Sequence, residues 1–157
     1  MSAKGVTAAA LEAMQDQHSL IVVNYANPDM VGHTGSIPAT IAAVETVDIA
    51  LGQIASAAEA NGYNLLVTAD HGNAEVMWNA QTKMPHTAHT TNPVRFIVCN
   101  SRITALHDGV LGDIAPTILE LLDCEKPNVM TGKSLSKHCI RTRNTVCMVD
   151  LMKCSHF

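Results

Sequence analysis

Leu20-Ile-Val-Val-Asn-Tyr25 is a largely apolar run of strand length, and Tyr63-Asn-Leu-Leu-Val-Thr68 predicts a second buried strand. Between them, apolar residues recur at steps of three and four, which predicts an amphipathic helix over residues 38–60. Asn61-Gly62 is expected to end this helix, because both residue types accept a left-handed backbone. A strand, a helix and a second strand in this order predict a βαβ unit.

The flanking sequence extends this pattern to an α/β fold with a mostly parallel sheet and flanking helices. Because residues 20–23 are apolar and β-branched in their middle, residues 20–25 predict a strand covered on both faces, at the centre of the sheet. Further elements are predicted as a short helix over residues 6–15, a third strand over residues 94–99 and a last helix over residues 114–122. Residues 137–157 follow neither a helical nor a strand period, so this tail is left unassigned.

The composition narrows the class of protein. With 157 residues and 47% apolar residues the chain can bury the core of one domain. A net charge of -4 with only ten scattered Lys and Arg argues against a nucleic-acid partner. No apolar run reaches the roughly 18–20 residues of a membrane span. Five cysteines without a CxxC pair favour free thiols, and a cytoplasmic location is therefore expected.

Two groups of metal-binding residue types directly follow the two main strands, at the edge where open α/β sheets carry their sites. Asp29 and His33 are four residues apart, so a helical turn or a tight loop would direct both toward one ion. An Asp cap and a surface His are the alternative for this pair. Asp70 and His71 precede Gly72, which permits a sharp turn that aims both side chains at one place. An Asx turn leaving the strand is the alternative here.

A third group, His86-Thr-Ala-His89, lies before the third predicted strand, and a polar loop with two exposed histidines is its alternative explanation. Carboxylates and imidazoles together suit Mn²⁺, Zn²⁺ or Fe²⁺ better than Ca²⁺. Because the three groups hold more ligands than one ion needs, we expect two ions about 3.5–4 Å apart, as in two-metal phosphoryl-transfer sites.

Taken together, the motifs DMVGHTG, TADHGN and HTAHTTNPV resemble one family, the cofactor-independent, metal-dependent phosphoglycerate mutases of the alkaline-phosphatase superfamily. The similarity runs from near residue 1 to the GKSL at residues 132–135. It implies that residues 1–136 are the C-terminal part of the metal-binding, phosphatase-like domain, with a partial alkaline-phosphatase-like sheet.

The resemblance also implies a division of the metal ligands. Asp29, His33 and His89 would hold one ion, while Asp70 and His71 would help to hold the other. His86 is the weaker candidate and is left out. Mn²⁺ is the expected metal, with Mg²⁺, Co²⁺ and Zn²⁺ as alternatives.

By the same resemblance, the whole enzyme is an isomerase of glycolysis and gluconeogenesis that interconverts 2- and 3-phosphoglycerate through a phosphoserine. The serine, a further metal-binding Asp and the substrate-orienting domain of the family are absent from this chain. We therefore expect the isolated chain to be inactive and to need the missing N-terminal part in cis or in trans. Arg95 departs from the family, which usually has a second proline there.

Two alternatives come from other functional classes. The chain could be a stand-alone metal-binding module that loads an ion without mutase turnover. It could also be another phosphatase or mutase of the alkaline-phosphatase superfamily. Such proteins share the metal-ligand residue types but not the amino-acid sequences of these motifs.

Overall fold

The structure is a computed structural model that describes residues 2–99, 103, 105–137 and 145–151. The helices are α1 (Ala3–Gln15), α2 (Asn27–Gly32), α3 (Ile37–Asn61) and α4 (Ile114–Leu121), and a short 3₁₀ turn (Leu111–Asp113) precedes α4. The strands are β1 (Leu20–Asn24), β2 (Asn64–Thr68), β3 (Trp78–Asn79), β4 (Met84–Pro85), β5 (Ile97–Cys99) and β6 (Val146–Asp150).

Four of these strands form one sheet in the order β1-β6-β2-β5. β6 pairs in parallel with β1 and with β2, whereas β5 pairs with β2 in the antiparallel direction. Strands β3 and β4 form a separate small hairpin. The predicted fold class, α/β with a mostly parallel sheet and flanking helices, is confirmed.

Each face of the sheet has its own apolar core, because neighbouring residues of a strand point to opposite faces. Leu65 and Val67 of β2 lie in the core under α1 and α3, together with Val149 of β6. Leu66, between them, lies on the other face, where Ile118 of α4 is buried. This two-sided burial explains why all five residues of β2 are buried.

Helix α3 closely matches its prediction, and it ends at Gly62, whose φ of 78° gives the left-handed cap. Its buried side, which includes Val47 and Ile54, lies in the core and packs against α1 and α2. By length and composition alone α3 could cross a bilayer. One such helix is weak evidence for a membrane span, because core helices pass the same test.

The tail corrects two expectations. β6, which has no recognisable strand period, lies between β1 and β2, so the two parallel strands of the predicted βαβ unit are not neighbours. The predicted central position of β1 is wrong: within the described sheet it is an outer strand, and Leu20 and Val22 are exposed. The cause is that β6 takes the interior position. The remainder of the tail, residues 138–144 and 152–157, lies outside the described residues.

Cys147, in the middle of β6, reports whether this strand is in the sheet. Burial makes its side chain fully inaccessible and raises the pKa of its thiol from 9.0 to about 12. We expect Cys147 to resist iodoacetamide at pH 8 in the native protein, because the thiolate is the reacting form. Exposed Cys124 serves as the reactive control, and peptide mass spectrometry measures both sites.

Equal labelling rates at the two cysteines would contradict the position of β6.

The raised pKa of the Cys147 thiol also predicts that alkaline pH destabilises the fold. Between about pH 9 and pH 12 the unfolded chain releases the thiol proton that native Cys147 retains, so the free energy of unfolding falls as pH rises.

Candidate metal centre

Helix α2 brings the first two candidate ligands to one side of a single helical turn. Asp29 lies in the first turn of α2 and is buried, and His33 caps its C-terminal end. Residues four apart on a helix are neighbours. The His33 Nε2 atom accordingly lies 3.3 Å from Asp29 Oδ1.

The second pair follows β2. Because β2 is buried in the sheet, it fixes the start of the loop that carries Asp70 and His71. His71 Nε2 lies 3.5 Å from Asp70 Oδ1, and Asp70 is about half exposed. The His71 ring stacks on His89, with ring centroids 3.7 Å apart and an interplanar angle of 21°. The second pair is thereby joined to the third motif.

His89 completes a compact set of ligand atoms. Its Nε2 atom lies 3.2 Å from Asp29 Oδ1 and 3.0 Å from His33 Nε2. In addition, one ligand atom from each of Asp29, His71 and His89 lies within 4.8 Å of the other two. The structure thus brings four of the five predicted ligands together in two overlapping sets, and Asp70 adjoins them through His71.

His86 lies in the same loop as His89 but makes a different contact. Its Nδ1 atom donates to the backbone carbonyl of Val76 over 3.1 Å, because a carbonyl can only accept. This contact ties the loop to the segment that follows β2, so His86 anchors the loop that carries His89.

Comparison with known proteins agrees with this geometry. The model of the Metalloenzyme superfamily matches residues 1–126, which is most of the chain. The chain belongs to the Metalloenzyme superfamily. The match covers every candidate ligand described above and ends before β6.

The names of curated relatives are more specific than the name of the superfamily. Proteins from Gloeobacter violaceus, Roseobacter denitrificans and Rhodopseudomonas palustris are 52%, 53% and 54% identical to this chain, and each is named 2,3-bisphosphoglycerate-independent phosphoglycerate mutase. Each match covers 86% of this chain but only 27% of the relative. The resemblance inferred from the three motifs is confirmed, and the chain spans about a quarter of the length of these relatives.

The hydrogen bonding of His33 tests whether the site of this Metalloenzyme superfamily member suits a cation. His33 Nδ1 lies 2.6 Å from the carbonyl oxygen of Thr87, so Nδ1 carries a proton. The other ring nitrogen, Nε2, faces Asp29 Oδ1, His89 Nε2 and, over 3.5 Å, the side-chain amide of Asn73. One carboxylate oxygen and two imidazole nitrogens within 3.3 Å of one another are the donor types and the close spacing that a divalent cation needs. The donor set therefore fits a divalent metal, with Thr87 orienting the ligand.

Two neighbouring residues support the ligands, and the sequence motifs alone do not indicate their roles. Asn73 is buried, and its side-chain amide donates to Asp29 Oδ1 over 3.1 Å. Glu75 accepts hydrogen bonds from the Thr90 hydroxyl and, over 3.1 Å, from the Asn92 side chain. Both residues follow His71 within a few positions, and this nearness along the chain was the only signal available.

Gly72 lies where the two ligand-bearing loops meet. Its carbonyl accepts from the Thr90 backbone over 2.7 Å. A Cβ atom at this position would collide with the side chains of Glu75 and Thr90. The absence of a side chain therefore lets the loops that carry His71 and His89 approach each other.

A groove of about 1190 Å³ opens beside the centre. Asp70 and His71 line it, together with Arg95 and His107. Arg95 is the one Lys or Arg among its described lining residues. Because the carboxylate of Asp108 also lines the groove, a small anionic ligand would depend on Arg95 together with bound metal for its countercharge.

Replacing Glu75 by Ala should weaken metal binding without removing a ligand. The loop that carries His89 would lose two hydrogen bonds, and residues that hydrogen-bond a metal ligand directly typically contribute 10–100-fold to metal affinity. Because Glu75 acts through Thr90 and Asn92, we expect the Mn²⁺ dissociation constant, measured by isothermal titration calorimetry, to rise by about tenfold, the lower end of that range. Glu45→Ala, on the exposed side of α3, is the matched control and should leave it unchanged.

Proposed function

We propose that this chain is the C-terminal, metal-binding part of a phosphoglycerate mutase that interconverts 2- and 3-phosphoglycerate. The observation that carries the proposal is the convergence of Asp29, His33, His71 and His89 within a few ångströms of one another. The names of the relatives support the substrate and the reaction.

The candidate ligands of this chain would bind two ions. Asp29, His33 and His89 would hold one divalent ion, and Asp70 with His71 would contribute to a second. Mn²⁺ is the proposed metal. When bound, the ions would neutralise charge on a transferring phosphoryl group and favour ionisation of an attacking hydroxyl.

The groove beside the ligands would hold the substrate. Arg95, on its wall, offers a guanidinium that can pair with the phosphate or the carboxylate of a phosphoglycerate. The nucleophilic serine would come from the missing N-terminal part of the enzyme, in cis or in trans. The proposed location is the cytoplasm, because Cys99, Cys124 and Cys147, the described cysteines, are free thiols.

A stand-alone metal-binding module is the second candidate. The observation that favours it is the position of β6, which fills the space between β1 and β2 with a segment beyond the family match. A sheet that this chain completes by itself would need no strand from another polypeptide at that place. The two candidates share the metal centre and differ in turnover.

Mn²⁺ binding should stabilise the native chain. At a metal concentration of 100 times the dissociation constant, binding to the native state alone adds about 2.7 kcal/mol, which corresponds to roughly 5–10 °C in melting temperature. His89→Ala should remove most of this gain, because it removes one of the three ligands of the better-provided ion. Differential scanning fluorimetry measures the shift, with His18→Ala, an exposed histidine away from the site, as control. An unchanged midpoint of the native protein at saturating Mn²⁺ would refute the metal centre.

A complementation assay separates the mutase from the module. The full chain is mixed with a polypeptide that comprises the N-terminal three quarters of a relative, and conversion of 3-phosphoglycerate to 2-phosphoglycerate is followed with Mn²⁺ present. We expect no turnover by the chain alone and turnover by the mixture. If the mixture is inactive although the chain binds Mn²⁺, the module is favoured and the mutase proposal fails.

A further inference from the structure

Asp150 ends the strand that lies between the two halves of the metal centre. In the parallel ladders its Cα partners are Asn24 of β1 and Thr68 of β2. The backbone fixes this register on both sides: Tyr25 N donates to the Asp150 carbonyl over 2.8 Å, and Leu151 N donates to the Thr68 carbonyl over 2.9 Å.

Asn24, Asp150 and Thr68 are the last paired residues of their strands, and the loops that carry the ligands follow Asn24 and Thr68. Helix α2 begins three residues after Asn24, and Asp70 follows Thr68 by two residues. Adjacent strands lie about 4.8 Å apart. The end of β6 therefore lies one strand spacing from the strand that leads to Asp29 and one from the strand that leads to His71.

The two ions of the proposed centre would have different numbers of protein ligands. Asp29, His33 and His89 offer three atoms within 3.3 Å of one another, whereas Asp70 and His71 offer two that lie 3.5 Å apart. Protein metal sites that retain an open position commonly have three protein ligands. The second site accordingly needs at least one more donor from this edge of the sheet.

A hydrogen bond to Asn24 of β1 orients the carboxylate of Asp150. Its Oδ2 atom accepts from the Asn24 side chain over 3.1 Å, and carboxylates that bind metals are usually oriented by such hydrogen bonds. Asp150 is partly buried, which limits the positions its carboxylate can take. The side chains of Asp150 and Thr68 lie on the same face of the sheet, because the two residues are register partners.

We propose that Asp150 is the third protein ligand of the second divalent ion, together with Asp70 and His71. The inference rests on the proposed metal centre. It gives the tail of this chain a role in metal binding that lies outside the family match, which ends at residue 126. The tail would thus complete both the sheet and the ligand set.

The test is the stoichiometry of Mn²⁺ binding by the full chain, measured by calorimetry and by electron paramagnetic resonance of free Mn²⁺. The native chain should bind two ions. Asp150→Asn keeps a side-chain oxygen for Asn24 but removes the charge, so it should retain one ion and weaken the second by tenfold or more. Asp48→Asn, an exposed carboxylate on α3, is the matched control and should still bind two.

The outcomes distinguish this inference from the proposed function. If the native chain binds no Mn²⁺, the metal centre itself is refuted. If it binds one ion, or if Asp150→Asn binds two with unchanged affinity, only the role of Asp150 is refuted. Asp150→Glu restores the carboxylate and should regain part of the second affinity, whereas a merely structural link to Asn24 would leave both variants with native stoichiometry. Melting curves in EDTA verify that each variant is folded.

Discussion

The main-chain hydrogen bonds of β6 are the constraint on which the rest of the structure depends. β6 pairs along its whole length with β1 on one side and with β2 on the other. Without a strand in this position, β1 and β2 would be separated by two strand spacings, and their inner backbone groups would have no partners. The two cores, the spacing of the strand ends and the distance between the ligand loops all follow from this pairing.

The candidate metal centre is assembled at the edge that this pairing creates. Asp29, which is buried, lies at its middle, with two imidazoles within 3.3 Å of its carboxylate. A buried carboxylate needs compensating partners. Asn73 supplies one, and the arrangement of the histidine nitrogens suits a cation as the other.

Rigid support distinguishes this arrangement from a chance group of polar residues. The loop that carries His89 is tied to the segment after β2 by Glu75, by the backbone of Gly72 and by His86. Each tie is a hydrogen bond to a group that has no ligand role. Such support keeps the ligand atoms together before an ion binds, which lowers the entropic cost of binding.

The sequence by itself determined the local elements and the chemistry of the motifs. The period of α3, its end at Gly62 and the apolar run of β2 depend on neighbouring residues, and the structure bears them out. The pairing of Asp29 with His33 was also accessible, because one helical turn sets it. Only the tertiary structure decided which strands are neighbours: β6 lacks a distinctive period, and its place depends on contacts with residues about 80 and 125 positions away. The same physical reason hid the supporting contacts of Asn73 and Glu75, since hydrogen bonds between distant segments leave no pattern in the sequence.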